Sequence, residues 1–95
     1  MNISLALKTI RFNKGFKQVD VCRKANISQT YMSQIENGQK QASIDVLRSL
    51  CKVYGIPYSV LAFMAMEEKD VQKSKMPIFK KLKPAMDELI AEFLK

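Results

Sequence analysis

The sequence predicts an all-α fold of five short helices followed by an additional C-terminal helical segment. Apolar residues recur every three or four positions along most of the chain, and glycines stand where these periodic segments end. The composition, 47% hydrophobic and 26% charged, is typical of a globular, helix-rich protein. Because 95 residues can bury only one small core, we expect a single domain over residues 1–66, a linker over 67–77 and an appendage over 78–95.

The first two helices are predicted over about residues 3–14 and about residues 18–25. Gly15 supplies a C-terminal stop for the first helix, since glycine readily adopts the left-handed conformation that ends many helices. The second helix ends near Asn26, a residue type that tolerates positive φ better than most.

A third helix is predicted over about residues 29–37. The hydroxyl of Ser28 can accept a hydrogen bond from a free N–H group one turn into this helix, and Gly38 follows its end. After a polar loop, Ser43 is the N-cap of a fourth helix, which ends at Gly55.

A fifth helix opens at Pro57, because proline is acceptable in a first helical turn. Its inward side chains are expected to be those of Val60, Leu61, Met64 and Ala65.

The last segment has apolar residues on one arc if it is helical throughout, and Pro84 then lies on the opposite face. Either one bent helix or a turn followed by a helix from Pro84 fits this pattern. We prefer the second, because a proline inside a helix costs about 3 kcal/mol or more. The apolar residues of this arc are Ile78, Phe79, Leu82, Met86, Leu89, Ile90 and Phe93.

The positive charge is concentrated in the first two thirds of the chain. The formal net charge is +7, and residues 1–66 carry 9 basic and 3 acidic side chains, against 7 and 6 in residues 67–95. This distribution favours a polyanionic partner for the predicted domain.

Several classes of function lack support in the sequence. No run of about 18 apolar residues and no signal-peptide pattern is present, so we expect a cytoplasmic protein without a membrane partner. Cys22 and Cys51 lie in apolar helical patterns and are expected to be reduced and buried. Without histidine, paired carboxylates or a phosphate-binding glycine loop, we expect no enzymatic activity, no cofactor and no metal.

The second and third predicted helices fit the helix-turn-helix plan, in which the second helix of the pair enters the DNA major groove. Residues of this third helix with amide and hydroxyl side chains share one arc of about 140°, while Met32 and Ile35 face the core. Such side chains can hydrogen-bond base edges, although any solvated helix face is also polar. The expected base-contacting residues are Gln29, Thr30, Ser33 and Gln34, with Asn37 on the same arc.

From Leu7 to Leu61 the sequence resembles the Cro and lambda-repressor family of helix-turn-helix regulators (Xre-type). The resemblance implies the five-helix lambda-repressor-like DNA-binding domain. It is carried by Arg11, Gly15, Gln18, the small residue Cys22, the turn Ile27-Ser28, the run from Tyr31 to Gly38, Ser43, and the segment Tyr54-Gly55-Ile56-Pro57.

Three positions depart from the family pattern. Cys22 replaces the usual alanine, Asn26 replaces the usual glycine of the turn, and the loop over residues 39–43 lacks a proline. Cysteine is small enough for a close approach of the two helices, and asparagine can adopt the left-handed conformation at modest cost. The loop is therefore expected to be less fixed than in the family.

The resemblance also implies roles for polar residues. Gln18 at the start of the second helix is expected to bind a phosphate, aided by the helix dipole. Arg11 is expected to pair with Glu36 and to lock the first helix to the third. Each of the lysines in this region is equally well explained as a solvated charge. Further candidates for phosphate contacts are Lys14, Lys17, Asn37, Gln39 and Lys40.

The resemblance implies a sequence-specific transcriptional regulator, a repressor or controller, that binds an inverted repeat of double-stranded DNA as a homodimer. The fifth helix or residues 78–95 would form the interface, unless the tail folds back on its own domain. The alternative function is a protein-interaction module, such as an antitoxin, in which the C-terminal helix over residues 78–95 binds a partner protein.

Overall fold

The computed structural model, which describes residues 1–95, has six α-helices and no β-strand, in agreement with the all-α fold predicted from the sequence. Two single turns of 3-10 helix, Glu68–Asp70 and Lys73–Lys75, connect the fifth helix to the sixth. None of the helices combines the length and the apolar character that crossing a membrane needs. The helices are α1 (Ile3–Lys14), α2 (Gln18–Ala25), α3 (Gln29–Glu36), α4 (Ile44–Tyr54), α5 (Tyr58–Ala65) and α6 (Met76–Phe93).

Local capping fixes the helix ends around α3. Asn26 ends α2 with φ of 58° and is the one non-glycine residue with positive φ, which is the conformation expected for it. Ser28 then caps α3, and its hydroxyl accepts a hydrogen bond of 3.0 Å from the N–H of Tyr31. Ser43 caps α4 in the same way through the N–H of Val46. These caps determine where α3 begins and where the chain leaves it.

A continuous apolar core fastens α3 to the other helices. Met32 and Ile35 are fully buried, as expected for the inward face of α3. They belong to a cluster that includes residues of all of the first five helices, so the exposed face of α3 has a fixed direction. The largest fully buried members of this cluster are Leu7, Ile10, Val21, Met32, Ile35, Leu50 and Leu61.

Two helix ends differ slightly from the predicted bounds. Asn37 lies just outside α3, as its C-terminal cap. Pro57 has extended backbone angles and precedes α5, so it lies outside the first helical turn. Within α5, Leu61 and Ala65 are buried, whereas Val60 and Met64 are half-buried.

The C-terminal segment differs more from the sequence prediction. It is a single helix that starts at Met76 and contains Pro84, so the preference for a turn followed by a helix from Pro84 was wrong. The missing N–H of a proline removes one hydrogen bond, and packing on the other face offsets that loss. Ile90 is buried, and Leu94, just beyond the helix, packs against the core.

Burial raises the pKa of the Cys22 and Cys51 thiols above the ordinary value of 9.0, and it raises the pKa of Tyr54 as well. The folded state therefore keeps these groups neutral at pH values where the unfolded chain ionises them. The contribution of these groups to the free energy of unfolding is expected to be constant below the unfolded thiol pKa and to fall as the pH rises above it. Urea titrations at a series of pH values measure this decline, which should be shallower in Cys51→Ala; an identical decline in both proteins would contradict the prediction.

Candidate nucleic-acid interface

The exposed side of α3 is lined by amide and hydroxyl groups only. Its polar side chains border a shallow depression of about 430 Å³ that has no apolar lining residue. Gln29 and Thr30 are exposed, whereas Ser33 and Gln34 are partly covered by neighbouring groups. The residues that border the depression are Gln29, Thr30, Ser33, Gln34 and Gln39.

The loop after α3 folds back onto the end of that helix. The main-chain N–H groups of Gln39 and Lys40 both donate to the carbonyl of Gln34, at 2.8 and 3.2 Å. This return places Gln39 beside the four residues expected to contact bases, although the sequence assigned it to the phosphate backbone. Its position depends on the loop conformation, which helical periodicity does not describe.

A buried ion pair joins α1 to α3. The Arg11 guanidinium donates from Nε to Glu36 Oε2 at 2.7 Å and from Nη2 to Glu36 Oε1 at 2.9 Å. The Glu36 side chain is 1% exposed and that of Arg11 is 13% exposed, so water screens the pair weakly. The hydrogen bond to Glu36 raises the pKa of Arg11, and a third donor, Nη1, reaches the carbonyl of Phe16 at 3.1 Å.

The side chain of Gln18 extends this pair to the face of α3. Its amide Nε2 donates to Glu36 Oε1 at 3.0 Å, and its Oε1 accepts from the Ser33 hydroxyl at 3.0 Å. Arg11, Gln18, Ser33 and Glu36 thus form one hydrogen-bonded network across three helices, which we call the α1–α2–α3 network. The network fixes α3 relative to the start of α2.

A protein-family model described as a helix-turn-helix domain matches residues 3–62 of the chain, a range that contains this network and both helices of the motif. The chain belongs to the Cro and lambda-repressor-like helix-turn-helix regulators. Several proteins with related sequences carry names of the same kind.

The helix-turn-helix regulator DdrOP3 of Deinococcus deserti is 34% identical over 56 residues, which are 59% of this chain and 43% of DdrOP3. The immunity repressor of Bacillus phage phi105 is 28% identical over 94 residues, covering 86% of this chain and 65% of the repressor. The chain therefore spans less than two thirds of either relative. The uncharacterized regulator YqaF of Bacillus subtilis is 33% identical over 57% of this chain and 71% of YqaF.

The fold is similar to that of a solved structure along nearly its whole length. The crystal structure of the clp gene regulator ClgR from Corynebacterium glutamicum matches with a TM-score of 0.65, 20% identity, and coverage of 98% of this chain and 92% of that one. At this level of identity the similarity concerns the fold alone.

The residues expected to contact phosphates have three kinds of surroundings in this helix-turn-helix regulator. Lys17, Asn37, Gln39 and Lys40 are exposed around the two ends of the motif. Gln18 takes part in the α1–α2–α3 network, and one N–H of its amide remains free. The Lys14 ammonium instead lies 3.4 Å from the main-chain oxygen of Lys95, against the C-terminal tail.

A second polar depression of the regulator adjoins the end of α3. It is bordered by Asn2, Ser4 and Lys8 from the start of α1 and by Asn37 from the end of α3. Lys8 was not predicted from the sequence. The periodicity of α1 places Lys8 outside the face that packs on the core, but it does not show that Lys8 approaches the end of α3. Lys8 adds a cation beside Asn37.

Proposed function

We propose that this protein binds double-stranded DNA in a sequence-specific manner, as a homodimer, with α3 in the major groove. The observation that carries the proposal is the face of α3, whose depression is bordered by amide and hydroxyl side chains only and is oriented by a fully packed core. The long amides of Gln29 and Gln34 can each pair with adenine N6 and N7. Thr30 can hydrogen-bond a base or contact a thymine methyl group, and Ser33 can hydrogen-bond a base.

Affinity for DNA has to come from residues outside α3. The one charged residue of α3, Glu36, is buried and paired with Arg11, so the face of α3 carries no net charge. We assign phosphate contacts to Lys17, Lys40 and the free amide N–H of Gln18, with Asn37 and Gln39 beside them. Such contacts position a protein on the duplex without selecting a sequence.

The C-terminal helix supplies a surface suited to a second copy of the chain. Ile78, Leu82, Leu89 and Phe93 lie within an arc of about 60° on α6, and each is at least 40% exposed. Ile90 and Leu94 lie on the neighbouring side of the helix and pack on the chain's own domain. The tail thus folds back with one side and leaves the apolar stripe from Ile78 to Phe93 exposed. The last two members of the stripe, Leu89 and Phe93, border an apolar depression together with Val60 and Phe63 of α5.

The charges of α6 favour antiparallel pairing of two copies. Its first half contains Lys80, Lys81 and Lys83 and no acid, whereas its second half contains Asp87, Glu88 and Glu92 and no base. Two antiparallel helices would therefore place basic halves against acidic halves, and parallel helices would place like charges together. A homodimer is also what an inverted-repeat DNA site requires.

A role as a transcriptional repressor or controller is the finer part of the proposal. It is supported by family membership and by the similarity to a phage immunity repressor. A partner protein on the stripe of α6 is the competing assignment, and the charge pattern of α6 favours the second copy.

Selection of binding sites from random double-stranded DNA tests the proposed function. We expect an enriched inverted repeat whose half-sites lie about one helical turn apart. The absence of enrichment would overturn the proposal, and enrichment of a single half-site would overturn its dimeric part. On the selected site, Gln34→Ala should weaken binding by about 1–3 kcal/mol and leave nonspecific DNA unaffected.

Lys40→Ala provides the matched comparison for Gln34→Ala, because the two residues lie on the same loop-to-helix contact. Loss of a phosphate contact should weaken specific and nonspecific binding alike and reduce the slope of log K against log salt by about one unit. An unchanged slope would contradict the role of Lys40.

A further inference from the structure

Each hydrogen bond between the face of α3 and Glu36 is donated toward Glu36. Ser33 donates to Gln18, and Gln18 donates to Glu36. We propose that Ser33 meets the bases as a hydrogen-bond acceptor only, and that it therefore selects an exocyclic amino group, adenine N6 or cytosine N4. This inference rests on the proposed DNA-binding function and assigns a base chemistry to one residue of that interface.

The direction begins at the buried carboxylate. An ionised carboxylate has only acceptor atoms, so the group that Gln18 presents to Glu36 Oε1 at 3.0 Å has to be its NH₂ and not its carbonyl. A flipped amide would bring two oxygens together in a site where Glu36 is 1% exposed. Glu36 thereby fixes the orientation of the Gln18 amide.

The orientation of Gln18 fixes that of Ser33. The Gln18 oxygen lies 3.0 Å from Ser33 Oγ and can only accept, so the single hydroxyl proton of Ser33 is donated to it. Ser33 still borders the depression on the face of α3. What its oxygen offers to a ligand in that depression is lone pairs.

Major-groove base edges differ in the groups that can meet such an oxygen. Adenine N6 and cytosine N4 are donors, whereas thymine O4 and guanine O6 and N7 are acceptors. If a base acceptor atom lay against Ser33 Oγ, no proton would stand between the two acceptor atoms. The alternative is that Ser33 breaks its hydrogen bond to Gln18 and donates to the base instead. Ser33 is therefore a specificity-determining residue that excludes thymine and guanine edges from its position.

Base analogues test this assignment on the 95-residue protein. Comparison of the sites selected by the wild type and by Ser33→Ala identifies the base position that Ser33 contacts. If that base is adenine, it is replaced by 2-aminopurine, which moves the amino group to the minor groove and keeps two pairing hydrogen bonds. If it is cytosine, it is replaced by pyrimidin-2-one, which lacks the amino group. We expect the wild type to lose about 3- to 10-fold in affinity and Ser33→Ala to lose almost nothing.

Replacement of Gln18 by Met provides the second arm. Gln18→Met removes the acceptor that takes the Ser33 proton but leaves the pair between Arg11 and Glu36 in place. The hydroxyl can then donate as well, so the base preference at the Ser33 position should widen to thymine and guanine edges, beside a uniform loss from the missing phosphate contact. The same analogue at a position that Ser33→Ala leaves unaffected is the control.

The outcomes separate this inference from the proposed function. A selected site in which the analogue weakens wild type and Ser33→Ala equally overturns the inference alone. The inference alone is also overturned if Gln18→Met weakens binding to all sequences but leaves the base preference at the Ser33 position unchanged. It is likewise overturned if Ser33→Ala changes the base preference at no position of the site. Selection without any enriched sequence overturns the proposed function and the inference with it.

Discussion

Replacement of Arg11 by Met is expected to lower the free energy of unfolding by about 3–5 kcal/mol, because it leaves the buried carboxylate of Glu36 without its ionic partner. Glu36 would keep one neutral donor, the Gln18 amide, in place of the bidentate guanidinium. Equilibrium unfolding in urea, followed by circular dichroism, measures this loss.

An exposed ion pair provides the matched control for Arg11. Arg23 and Asp20 also form a charged hydrogen bond, at 2.9 Å, but their side chains are 74% and 41% exposed. Arg23→Met should therefore change the stability by at most about 1 kcal/mol. The double variant Arg11→Met, Glu36→Met should recover part of the loss, since it removes both buried charges. Equal effects of Arg11→Met and Arg23→Met would show that burial of the pair contributes nothing.

Loss of this pair should also affect binding. The carboxylate of Glu36 orients Gln18, and Gln18 in turn orients Ser33 on the side of α3 that we propose to face DNA. We therefore expect the folded fraction of Arg11→Met to bind DNA more weakly than the wild type does at the same concentration of folded protein. The stability of the domain and the order of its recognition face depend on the same carboxylate.

The helix-turn-helix could be predicted from the sequence because its signals are local. Ser28 and Asn26 act through hydrogen bonds and backbone angles within a few residues, and Met32 and Ile35 recur with the helical period. The pairing of Arg11 with Glu36 spans 25 positions, and the family resemblance was needed to expect it.

Other features depend on contacts between distant elements. The bond of Gln18 to Glu36 could not be derived, because an amide at a helix start suits a phosphate as well as a carboxylate. Pro84 was assigned to a helix start because its local cost is large, whereas Ile90 and Leu94 hold the second half of α6 against the domain. In both cases tertiary packing outweighs the local preference.

The second large effect expected concerns the exposed stripe of α6. Leu82→Asp places a charge in the middle of the apolar surface that we assign to a second copy, where Leu82 is 54% exposed in the single chain. Burial of an unpaired carboxylate opposes association, so sedimentation should show the monomer mass. Because a monomer engages one half-site at a time, affinity for the full inverted repeat should fall by about 100-fold or more.

Two further variants make this prediction specific. Leu5→Asp adds the same charge at a residue of α1 that is 59% exposed, and it should leave the mass unchanged. Lys81→Glu tests the orientation of the two helices. Lys81 and Glu88 lie along the same edge of the stripe, and neither belongs to the ion pair between Lys83 and Asp87. In an antiparallel dimer this edge of one helix faces the same edge of the other. Charge reversal at Lys81 should therefore weaken the dimer, and Glu88→Lys in the other copy should restore it. A dimer that tolerates Leu82→Asp would place the interface elsewhere, and one that tolerates only Lys81→Glu would exclude the antiparallel arrangement.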